Sequence, residues 1–152
     1  MTDARTAAIL QDVLRREGRS LLQYVSEAFP WATAEERAAL AALQKLIDEE
    51  RRAAAELGRF LTRRRVALPY LGAYPMEFTT TNYVSLDHLL PLLIGQQKKA
   101  VARLEQDLAA LADADARTQL ERLLTMKRQH LKELESLAAA HPEKVAVSQP
   151  RA

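Results

Sequence analysis

Cysteine is absent from the 152-residue chain. That excludes disulfides, thiolate metal sites, iron–sulfur clusters and a cysteine nucleophile. Glycine and proline are scarce, with 4 and 6 copies, which argues against a turn-rich all-β fold. No charge of one sign dominates: 22 basic residues face 20 acidic ones, so no nucleic-acid-binding tail is expected. Long apolar runs are missing as well. The longest uncharged one, Leu89 to Gly95, is far short of the roughly 20 residues that span a bilayer. The N-terminal residues interleave charge with apolar side chains and lack the pattern of a cleavable leader. A cytoplasmic protein with no membrane or nucleic-acid partner is the expectation. What is abundant is alanine, leucine and charge, in a composition able to bury one core.

The apolar spacing is helical. Leu10, Leu14, Leu21, Tyr24 and Ala28 share one face of a first helix over about 3–29, stopped by Pro30. Thr33-Ala-Glu-Glu36 has the form of a capping box and opens a second helix to about residue 65, with Leu40, Leu43, Ile47, Ala54, Leu57 and Leu61 inward. A third helix falls within 85–111, with Pro91 near its start. A fourth, capped by Asp113, covers about 114–140. Residues 141–152 lack a period and are expected to form a flexible tail.

The connection 66–84 differs from the others. It carries Pro69, Gly72 and Pro75 and no helical pattern. At about 3.3 Å per residue it reaches about 60 Å, more than the roughly 40 Å of a 27-residue helix. It is therefore expected to run the length of a bundle, pinned by Tyr70, Leu71, Tyr74, Met76 and Phe78, and to make the second and third helices parallel. Trp31 is expected to close one end.

Each inward stripe is interrupted by a polar residue near its middle: Glu17, Glu50, Gln97, and Lys127 with His130. Mid-helix positions of an antiparallel bundle share one cross-section, so these residues imply a buried polar layer. A buried charge is costly unless paired.

Over about residues 3–140 the chain resembles the ferritin-like superfamily. Those proteins are up-down-down-up four-helix bundles with one long crossover and a central di-metal carboxylate site. The resemblance aligns Glu17 with that family's first-helix glutamate and Tyr24 with a tyrosine that follows it. Glu50 matches the glutamate of the second-helix Glu-x-x-His pair, where Ala53 replaces the histidine. Gln97 stands at the third-helix glutamate, and Lys127 and His130 at the fourth-helix pair. Two carboxylates do not balance two divalent cations, and a protonated lysine cannot ligate. The expectation is thus a bundle without a di-iron centre or other cofactor, in which Lys127 bridges Glu17 and Glu50 while Gln97 and His130 complete the hydrogen bonds.

Two alternatives stand beside it. One is a single iron or zinc ion on Glu17, Glu50 and His130, which would make the protein a metal-dependent oxidoreductase. The other is a small-molecule binder, marked by a closed pocket around Ala53 and Gln97. The basic cluster Arg59, Arg63, Arg64 and Arg65 is read as a helix C-terminus favoured by its dipole, and His88 as a surface residue. A homodimer or another protein partner is expected, with Leu46 and Phe60 as surplus apolar residues on the outer face.

Overall fold

The computed structural model describes residues 2–140. Within them the chain folds into α1 (Ala4–Gly18), α2 (Leu21–Val25), α3 (Arg37–Arg63), α4 (Leu86–Ala110) and α5 (Ala114–Ala140). Short 3-10 turns cover Ala34–Glu36 and Met76–Thr81. Among the described residues there is no strand, and no helix is long and apolar enough to cross a membrane. The segment expected as a tail, with His141, lies outside the described residues.

Caps set the helix starts. Asp3 accepts from the Thr6 N–H at 2.8 Å at the start of α1, and Ser85 caps α4 through the His88 N–H at 3.3 Å. The Glu36 carboxylate reaches back to the Thr33 N–H at 2.8 Å, completing the capping box ahead of α3. Asp113 caps α5 by accepting from the Ala116 N–H at 2.9 Å. It also takes both arms of the Arg64 guanidinium at 3.0 and 3.1 Å, so Arg64 ties the end of α3 to the start of α5. Those bonds, to Arg64 first and Ala116 second, hold the Asp113 carboxyl at about 2. Its contribution is therefore present above its ordinary value of 3.8 and is lost as pH falls towards 2. Asp113→Ala is expected to cost about 1–2 kcal/mol at neutral pH. The check is the urea midpoint, and the deficit should shrink near pH 2, where the parent has protonated the same group.

The first helix is not continuous. Arg19 leaves helical geometry and Ser20 restarts the chain as the cap of α2, its Oγ accepting from the Gln23 N–H at 3.2 Å. Gly18 is the last residue of α1. It also leaves room for the 66–84 segment, since a Cβ there would stand 3.0 Å from Leu71. Periodicity carried the stripe across this break because Leu14 and Leu21 keep heptad spacing. The helical run also ends at Val25, short of residue 29.

Contacts fix the relative directions. Glu50 meets Lys127, and Arg64 meets Asp113, so α3 and α5 are antiparallel. Gln97 meets Lys127 and Leu108 meets Arg117, so α4 and α5, which three residues join, are antiparallel. Ser20 meets Glu50 while Thr2 meets Arg64, so the α1–α2 arm runs against α3. The 66–84 segment climbs that arm: Gln11 donates to the Ala67 carbonyl, Arg19 to that of Gly72, and the Tyr24 hydroxyl to Asn82.

Two apolar clusters form the core. One gathers Leu22, Leu43, Ile47, Leu90, Leu93 and Leu134. The other gathers Leu10, Leu57, Leu61, Leu104, Leu120 and Leu124. Leu46 and Phe60, expected on an outer dimer face, are both buried. Their helix is covered from more than one side, by the α1–α2 arm and by α5, which widens its apolar stripe. Of the expected strap anchors, Phe78 is buried and Tyr74 packs edge-on against Tyr24 at 5.3 Å. Tyr70 and Met76 instead face solvent. Trp31 is also exposed, at 66%. It joins the chain through its backbone, its N–H donating to Val84 and its carbonyl accepting from Leu86.

Candidate functional site

The two apolar clusters are separated by the polar side chains that interrupt the stripes. Lys127, on α5, is the largest side chain buried almost completely, at 1% exposure. Its Nζ lies 2.6 Å from Glu17 Oε1 and 2.5 Å from Glu50 Oε2. Towards Glu50 the ammonium donates a hydrogen bond. Towards Glu17 the approach is ionic, and no donor is aligned with Glu17 Oε1.

The carboxylates differ in their other partners. Glu50 Oε1 also accepts from Ser20 Oγ at 2.5 Å and from Gln23 Nε2 at 3.0 Å. The break between α1 and α2 makes this possible, because it turns Ser20 and Gln23 towards α3. Gln23 is itself buried and anchored on the Ile47 carbonyl at 3.0 Å. Glu17 has no such donors. Burial pushes its carboxyl up from the ordinary value, Lys127 pulls it back and Glu50 pushes it up again, with a net rise. For Lys127, burial favours the neutral amine, but the charges of Glu17 and Glu50 outweigh it and hold the ammonium well above the ordinary lysine range.

Other expected members stand apart. The Gln97 amide donates to the Lys127 backbone carbonyl at 3.1 Å, not to the charged groups. His130 is buried but turns its Nε2 to Glu49 Oε1 at 3.0 Å, and its Nδ1 has no partner. The expectation that Gln97 and His130 complete the hydrogen bonds around the ammonium is thereby corrected: Ser20 and Gln23 do so, through Glu50. The cause is helical phase. One residue along α3, Glu49 points towards a different part of α5 from Glu50. Tyr24 is bonded to Asn82 on the long connection, away from the layer. The half-buried Ala53 lines a cavity of about 70 Å³ with Leu57 and Leu123, which Gln97 does not border. Ala53 and Gln97 thus border two different cavities, where one joint pocket was expected.

Gln97 instead borders a cavity of about 540 Å³, together with Glu17 and Lys127. It opens between the α1–α2 arm and α4, beneath the segment around Leu71–Phe78. Among the described residues, no three His, Asp or Glu side chains converge as a set able to hold a metal ion. Compared with family models, curated proteins and solved structures, the chain matches none.

Proposed function

We propose that this chain is a ferritin-like up-down-down-up four-helix bundle, with 66–84 as its long crossover, whose centre is held by an ammonium in place of metal. In this reading α1 and α2 are one broken helix of the bundle. The antiparallel pairs, the three-residue link between α4 and α5, and the climb of 66–84 along the α1–α2 arm support it. The protein then works as a non-catalytic structural or interaction module, in the cytoplasm.

The single observation that carries the proposal is the Lys127 ammonium seated between Glu17 and Glu50. A metal pair there would need the four carboxylates and two histidines that the family supplies. This chain offers two carboxylates, and they are already spanned by a fixed cation. A single ion on Glu17, Glu50 and His130 fits no better, because His130 is directed to Glu49. The donor set does not suit the family's cofactor, and no chemistry is routed through it.

Elemental analysis tests the reading. After growth with added iron, manganese and zinc and purification without chelator, the protein should hold less than about a tenth of an ion per chain. About one ion per chain, lost on Glu50→Ala or His130→Ala, would overturn the proposal in favour of a mononuclear centre.

A further inference from the structure

The cavity of about 540 Å³ lies within the range of small-molecule sites, roughly 300–1,000 Å³. It exists because the chain breaks at Gly18–Ser20, where α2 starts anew and the crossing segment roofs the gap. Its walls are largely apolar, from Leu22, Leu93 and Phe78. Its charges are not balanced. Two acids, Glu17 and Glu77, share the lining with Arg15, Arg16, Arg19, Lys99, Arg103 and Lys127. Most of these cations are engaged: Lys127 holds Glu17, while Arg15, Arg16 and Arg103 pair with Asp12 or Asp107.

Arg19 and Lys99 are the exceptions, as neither has a carboxylate partner among the described residues. Arg19 is also fixed in place. Its Nε donates to the Gly72 carbonyl at 2.7 Å, its Nη1 to that of Gly18 at 3.1 Å, and its guanidinium lies 4.8 Å from the Tyr74 ring centre. A guanidinium positioned this way, on the wall of an apolar cavity and without a counter-ion, is preorganised for an anion.

We infer that the cavity binds a small organic acid, its apolar body against Leu22, Leu93 and Phe78 and its carboxylate on Arg19 and Lys99. The inference rests on the cavity and its unpaired cations and does not require the ferritin-like reading.

Calorimetry with decanoate and 2-naphthoate tests it, with decanol and decylamine as matched ligands lacking the negative charge. At least one acid should bind at one per chain, at least about tenfold tighter than decanol or decylamine. Lys99→Gln and Arg19→Gln should each weaken it about three- to tenfold. Ala100→Phe, which fills the lining, should abolish binding while leaving the melting curve cooperative. The inference fails if neither acid binds at about 2 mM, or if decanol or decylamine matches the acids. It also fails if both Lys99→Gln and Arg19→Gln leave affinity unchanged, a result that stands even should Ala100→Phe not fold.

Discussion

Lys127→Met is expected to lose about 3–5 kcal/mol of folding stability, because it leaves two carboxylates buried without their cation. The lysine is 1% exposed, and Glu17 and Glu50 are exposed at only 3% and 0%, so solvent screens the carboxylates little. One carboxyl must then take up a proton, and the loss should be smaller in acid, where that costs less. The loss should also be reversible by chemistry elsewhere in the layer. Adding Glu17→Leu and Glu50→Gln to Lys127→Met removes the unpaired charge and keeps an amide carbonyl to accept from Ser20 and Gln23. Replacing a complete buried ion set by apolar groups is often neutral or stabilising, so the triple variant should recover most of the loss. Urea unfolding followed by helical circular dichroism reads both steps. A single variant within about 1 kcal/mol of the parent would show that the triad does not hold the core together.

The two glutamates should respond very differently to the same substitution. Glu50→Gln is expected to cost about 3–5 kcal/mol. Glu50 accepts from Ser20, Gln23 and Lys127. An amide turns one of its acceptor oxygens into a donor that must face another donor, whichever way it is flipped. Glu17→Gln should cost less than about 2 kcal/mol, since Glu17 meets only Lys127 and burial already favours its protonated form. The sign follows from the raised carboxyl. The folded chain binds this proton more tightly than the unfolded chain, so stability declines as pH rises from the ordinary glutamate value of 4.5 through the raised one. Glu17→Gln should flatten that decline. Urea midpoints measured across this range for both variants provide the check, and equal losses with parallel pH profiles would contradict the asymmetry.

Much of this centre was legible because polarity inside a helical stripe needs an explanation. Glu17, Glu50 and Lys127 each interrupt an otherwise apolar face, and pairing is the cheapest solution for three buried charges. The start of α5 was legible from its capping residue Asp113. The break at residues 18–20 was not, because the leucine spacing runs through it undisturbed. A local signal was available there: glycine, then Ser20 followed three residues later by Gln23, has the form of a second capping box. Reading it would have marked the restart at Ser20, but the Gln23 side chain turns to Ile47 and Glu50 instead of back to the cap. The switch of His130 to Glu49 depends on a difference of one residue in helical phase, finer than stripe reading resolves. The cavity depends on how the restarted α2 packs against α4, which is a tertiary quantity with no sequence period of its own.

The central claim is that a charged lysine spans the two buried glutamates, and lysine ammonium NMR on ¹⁵N-labelled protein tests it most directly. Surface ammonium protons exchange rapidly with water at neutral pH, whereas a buried, paired ammonium is shielded. The account predicts a slowly exchanging lysine signal, absent from Lys127→Met, that keeps its charged-form shift beyond the ordinary lysine value of 10.5. A Lys127 signal that exchanges and titrates with the surface lysines would contradict it.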